Sequence, residues 1–138
     1  MKKWILLLAV MLFIISGCAA NKPQTFNPIS NPNWGIFELR KDVNYDKAWQ
    51  SVNEIIIDHY RIEFINKEIG YIRTSWRYGK NKDYEGKYRS MLEVKFTPDH
   101  NKVKLRATSQ YMEDDYWIKG TDSNLISTLK TDIMGKIG

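Results

Sequence analysis

The scarcest reactive side chains set the chemical possibilities of this 138-residue chain. There is one cysteine, Cys18, and there are two histidines, His59 and His100. A single thiol excludes a disulfide within the chain and a cysteine-based metal site. His59 ends a helical pattern, where its charge would complement the helix dipole, and His100 falls in a turn. Neither histidine needs a catalytic explanation. The sequence holds no His-Glu-x-x-His motif and no glycine-rich phosphate loop. Glu113-Asp114-Asp115, with Asp122 nearby, is the best cation candidate. It lacks the alternating acidic pattern with glycine of a calcium loop, so a solvated acidic loop is the expectation. Glu38, Glu54, Glu63 and Glu93 fall on different elements, and nothing singles out a pair for glycoside hydrolysis. The expectation is a protein that is not an enzyme, with no catalytic residues, no metal and no cofactor.

The surroundings of Cys18 give its thiol a different chemistry. Lys2 and Lys3 precede an unbroken apolar run from Trp4 to Ile15, then Ser16 and Gly17, the layout of an export signal over residues 1–17. The run is 12 residues long, and crossing a bilayer as a helix takes about 20. The tetrad Ile15-Ser16-Gly17-Cys18 resembles the lipobox of bacterial lipoproteins. The resemblance implies cleavage before Cys18, a diacylglycerol thioether on its sulfur and a further palmitate-type acyl chain on the new amine. Several chains multiply the buried methylene groups, each worth about 0.8 kcal/mol, so the membrane anchor would be permanent. Ala19 follows the cysteine where an aspartate would signal inner-membrane retention, which favours the outer membrane, facing the periplasm, in a Gram-negative host.

Removing Lys2 and Lys3 from the 21 basic residues leaves 19 against 16 acidic, a formal charge of +3. That mild excess, with no recognition motif, gives no case for nucleic acid as a partner. Anionic lipid head groups are nearer candidates.

Residues 18–33 are rich in Asn and Pro and carry no apolar periodicity, so they read as a flexible tether behind the lipidated end. Residues 34–138 read as a single domain. Gly35 to Arg40 looks like a strand, and Asn44 is a helix cap before Ala48, Trp49, Val52, Ile55 and Ile56, which recur at helical spacing over 45–59. Arg61–Ile65 and Tyr71–Tyr78 flank a Gly-containing turn, and Tyr88–Thr97 and Val103–Tyr111 flank Pro98-Asp99-His100-Asn101. Thr121 or Asp122 then caps a closing helix with Leu125, Ile126, Leu129, Ile133 and Ile137 on one face. The expected fold is α+β, a four- to five-stranded antiparallel sheet with two helices on one face, in the order β-α-β-β-β-β-α.

Alternation assigns the two sheet faces. Ile72, Thr74 and Trp76, Leu92, Val94 and Phe96, and Val103, Leu105 and Ala107 point to the core; Trp49 lies on the helical core stripe. The other face would carry Tyr71, Arg73, Arg77, Arg89, Glu93, Lys95, Lys104 and Arg106.

The order of elements, and the run Asp42-Val43-Asn44-Tyr45-Asp46-Lys47-Ala48-Trp49 leading to Gly70-Tyr71-Ile72-Arg73-Thr74-Ser75-Trp76, resemble the helix-grip domains of the BamC (NlpB) family of outer-membrane assembly lipoproteins, over residues 36 to about 137. This chain has one such domain where the family has two. The resemblance implies a non-catalytic accessory subunit of an envelope assembly. The expected function is therefore that of a lipid-anchored envelope binding protein with a protein partner. Arg73, Arg77, Arg89, Arg106, Tyr116 and Trp117 are the expected contact residues, because exposed aromatic and arginine side chains anchor interfaces. Two rival classes stand beside it: a carrier of a small apolar ligand in a helix-grip cavity, and an envelope hydrolase.

Overall fold

The computed structural model describes residues 22–80 and 84–138. Cys18 and the signal residues Ile15, Ser16 and Gly17 lie outside the described residues. Eight strands form one antiparallel sheet: β1 (Phe26–Pro28), β2 (Gly35–Glu38), β3 (Ile62–Asn66), β4 (Tyr71–Thr74), β5 (Arg77–Tyr78), β6 (Tyr88–Phe96), β7 (Lys102–Glu113) and β8 (Tyr116–Asp122). Their order is β1-β8-β7-β6-β4-β3, with β2 also on β7 and β5 also on β6. Two helices, α1 (Tyr45–His59) and α2 (Ser123–Ile137), complete the α+β architecture.

Each helix begins where its sequence supplies an acceptor for orphan N–H groups. The Asn44 side chain accepts from the Lys47 N–H at 2.9 Å. Asp122 accepts from the N–H groups of Asn124 and Leu125. The apolar stripe of α1 buries Ala48, Trp49, Val52, Ile55 and Ile56, and that of α2 buries Leu129, Ile133 and Ile137. Both pack in one core with Ile72, Leu92, Val94, Phe96, Val103, Leu105 and Ala107 of the sheet. Burying one aliphatic side chain of this size contributes about 1.5–3 kcal/mol. Helix α1 covers the span expected for it, and the inward set predicted for β6 and β7 holds.

The sheet is larger than the four to five strands expected. One added strand is β1, inside the segment read as tether. Asn27 and Pro28 are exposed, so β1 has no alternation to display; only Phe26 is buried, against Tyr88 and Tyr111 with ring centroids 6.5 and 4.9 Å away. Gly120 makes room for it, since a Cβ there would overlap the Phe26 ring and the Asn27 carbonyl. Another addition is β8. Glu113-Asp114-Asp115, expected as a solvated loop, is a tight hairpin turn in which Asp114 and Asp115 take φ of 47° and 64°. Two successive positive φ values are the type I′ signature, and Asp tolerates them.

The third difference is an extra residue that breaks the alternation. Arg73 pairs with Glu93 and Arg77 pairs with Ser90, so four steps along one strand match three along the other. The Thr74 hydroxyl accepts the Leu92 N–H at 2.9 Å, standing in for main chain at the break. Beyond it every side chain changes face. Trp76, expected in the core, therefore lies on the open face, and Arg77, expected on the open face, lies exposed on the helix side, at the end of the first helix.

Candidate functional site

The helices cover one face of the sheet and leave the other open, so the charged residues that alternate with the core residues are set out on a rigid surface. Two rows of side chains cross the strands there. In the first, Arg89 of β6 donates from Nε and Nη2 to Gln110 Oε1 of β7 at 2.9 and 2.7 Å, and from Nη1 to the Tyr78 hydroxyl at 3.3 Å. Its guanidinium carbon lies 4.5 Å from the Trp76 ring centroid and 3.9 Å from that of Trp117. A cation between two indoles gains about 0.5–2 kcal/mol from each. Held by both rings and three hydrogen bonds, Arg89 is pre-organised.

The second row centres on Glu93, which is buried despite its charge. Arg106 donates from Nε to Glu93 Oε2 at 2.7 Å and approaches it through Nη2 at the same distance. The Tyr71 hydroxyl donates to Glu93 Oε1 at 2.8 Å. Burial, and then the carboxylate beside it, raise the Tyr71 pKa, so the phenol keeps its proton and stays a donor. The Trp34 ring lies 4.5 Å from the Arg106 guanidinium carbon and closes the row. Trp34 thus covers part of the open face.

Between the rows lies a trough of about 480 Å³. Its floor is the cross-strand pair Met91 and Thr108. One end is the Glu63–Arg73 ion pair at 3.1 Å; the other is formed by Pro32 and Lys119. The trough is lined by arginines already positioned by carboxylates and an indole, with Met91 and Thr108 between them. Such a site spends little entropy in ordering its side chains on binding. No protein-family model matches this chain, and no curated protein does.

Of the expected contact residues, Arg73, Arg89, Arg106 and Trp117 share this face. Arg77 does not: its guanidinium donates to the His59 carbonyl at 2.9 Å and lies 4.5 Å from the Tyr60 ring on the helix side. Tyr116, 75% exposed, precedes Trp117 in β8 and so points to the opposite face. Trp34, Tyr71, Trp76, Met91 and Lys119 belong to the site without having been assigned to it. Trp76 needed the extra residue before Arg77, which no residue type announces. Lys119 needed β8, whose alternation Gly120 interrupts.

The helix side of the sheet ends in a second polar cluster. Asp122 accepts from the Tyr88 hydroxyl at 2.8 Å and from Thr25 at 2.6 Å, Tyr88 also reaches Ser109, and Tyr60 bonds Ser90 at 2.8 Å. Burial raises the pKa of both Tyr60 and Tyr88. Every hydroxyl in this cluster is satisfied internally, which suits a structural role. A neighbouring hollow of about 190 Å³ lies between the helix ends, lined by His59, Tyr60, Arg77, Leu125, Leu129 and Asp132 among others. Among the described residues no three His, Cys, Asp or Glu side chains are grouped to hold a metal ion, and no helix is long and apolar enough to cross a membrane.

Proposed function

We propose that this chain is a lipid-anchored binding protein of the cell envelope, a non-catalytic accessory subunit that takes hold of a protein partner with the open face of its sheet. Two things support the reading: the lipobox-like Ile15-Ser16-Gly17-Cys18, and the trough bracketed by Arg89 with its two indoles and by Arg106 with Glu93. The trough is the observation that carries it. Clamped arginines and indoles are the side chains enriched in protein-binding hot spots.

Anchoring adds to whatever affinity the face has. From Cys18 to Lys22, the first described residue, an extended chain reaches at most about 14 Å. A domain held that near a membrane meets other membrane-bound proteins at high effective concentration. The accessory role agrees with what the resemblance to the BamC family implies, and the outer membrane is the proposed location.

The test is affinity purification of the tagged protein from detergent-extracted membranes, beside a Cys18→Ser form, with mass spectrometry of the N-terminal peptide. Acylated Cys18 and a defined set of envelope proteins, depleted in the Cys18→Ser form, are the expected result. An unmodified thiol with no protein recovered would contradict the proposal. Small lipids recovered in place of proteins would favour the carrier reading, with the hollow between the helix ends as its site.

A further inference from the structure

Four strands pair with a single neighbour among the described residues: β1, β2, β3 and β5. β1 is only three residues long and closed by Pro28, which has no N–H to offer, β5 has two residues, and β2 has four beside β7. β3, with five, pairs only with β4. It contains neither proline nor lysine. Phe64 and Ile65 are 42% and 49% exposed, and Ile69 in the turn that follows is 59% exposed. The irregularity in β3 lies between Ile62 and Phe64; Glu63 there turns onto Arg73, and Phe64 to Asn66 beyond it pair in regular register. An exposed apolar edge with unpaired main-chain groups is a template for another strand.

We infer that this strand is β3 of a second copy of the chain, paired antiparallel about a two-fold axis at Ile65. The inference rests on the anchoring reading above. Like-to-like pairing of β3 closes after two copies. At this register Ile65 meets Ile65 of the second copy on the helix side. Phe64 meets Asn66 of the second copy on the open side.

The same axis suits the anchor and the trough. Lys22 sits with its ammonium 4.4 Å from the Tyr111 ring centroid, and Pro23 and Thr25 lie beside Tyr88, Asp122 and Leu125, so the chain leaves toward its N-terminus on the helix side. An axis normal to the sheet puts both N-terminal segments on one side, where both lipids enter one membrane, and both open faces on the other. The Glu63–Arg73 end of the trough borders β3. The two troughs therefore meet end to end across the axis and form one continuous surface. Three regular residue pairs make a small contact, and confinement by the short leash supplies the concentration that completes it.

The test uses the full chain in its membrane, with Ile65→Cys introduced and the membranes oxidised with copper phenanthroline. Opposed Cα atoms in an antiparallel pair lie about 4.5–5.5 Å apart, within the span of a disulfide. Ile57→Cys is the control, 62% exposed on α1 and on no strand. The expected result is disulfide dimer forming about tenfold faster at position 65 than at 57, an advantage lost when Phe64→Lys is added. Equal rates at the two positions would overturn the pairing. Mass spectrometry of Cys18 in the same sample separates the two claims. Lipid present with equal rates removes the pairing and leaves the anchor; no lipid with rapid dimer at position 65 removes the anchor and leaves the pairing.

Discussion

The two faces of the sheet are drawn from the same strands by simple alternation, yet they solve opposite problems. On β6, Leu92 points under the helices with no exposure at all, while its neighbours Met91 and Glu93 line the open trough. The helix side spends its side chains on dispersion and the exclusion of water. The open side spends them on arginines held in place by carbon rings and carboxylates, with Trp34 and Pro32 lying over part of it. A face that held its charges only for solubility would not need Arg89 clamped by two indoles and three hydrogen bonds. With the open face as the proposed binding surface, stability and recognition are separated across the thickness of one sheet.

The contrast breaks most plainly with two neighbouring substitutions. Leu92→Ala is expected to cost about 2–5 kcal/mol and Met91→Ala under about 1.5 kcal/mol, read as urea unfolding midpoints of the mature domain. Similar costs at both positions would mean that the open face is packed like the core. Next in size is Thr74→Val, which removes the hydroxyl that accepts the Leu92 N–H at the fully buried break between β4 and β5. It is expected to cost about 1–3 kcal/mol. Because that break puts Trp76 on the open face and Arg77 on the helix face, the loss should be accompanied by a change in the near-ultraviolet circular dichroism of the indoles.

Arg89→Ala is expected to cost only about 1 kcal/mol of stability, while abolishing the Trp76–Trp117 clamp and weakening capture of the partner severalfold. A stability loss with capture intact would assign Arg89 to the fold alone. The smallest effect is a pH dependence of stability, to which buried tyrosines on the helix side contribute beside Tyr71 of the open face. Tyr60 and Tyr88 have pKa values raised by burial. Below pH of about 10, the ordinary tyrosine value, both states keep these protons and the contribution is constant. Above it the unfolded chain releases them while the folded protein retains them, so stability falls as pH rises. Tyr88→Phe should flatten that alkaline slope in thermal melts.

What the sequence conveyed of this arrangement follows from how each feature is encoded. Helix α1 announced itself through Asn44 and the spacing of Ala48, Trp49, Val52 and Ile56, and α2 through Asp122 and the Leu125–Ile137 stripe. The inward residues of β6 and β7 were legible because period-two alternation runs unbroken from Leu92 to Phe96 and from Val103 to Ala107. Strand β1 was not, since a three-residue strand with one buried side chain has no period to detect. Strand β8 was hidden behind Asp114-Asp115, whose acidity suggested a loop although their positive φ values make a tight turn. The site was legible where it sits on regular alternation, at Arg73, Arg89 and Arg106. It was misassigned at Arg77 and Trp76, where one extra residue reverses the faces.

The claim that the open face is the recognition surface is tested most directly by photo-crosslinking in the living cell. A benzophenone amino acid is placed at Met91 on the trough floor and, separately, at Ile57, an exposed position on α1 of the covered side. The account predicts a discrete crosslinked envelope protein from position 91, absent from position 57 and lost on adding Arg106→Ala. Crosslinks from position 57 with none from position 91 would contradict it.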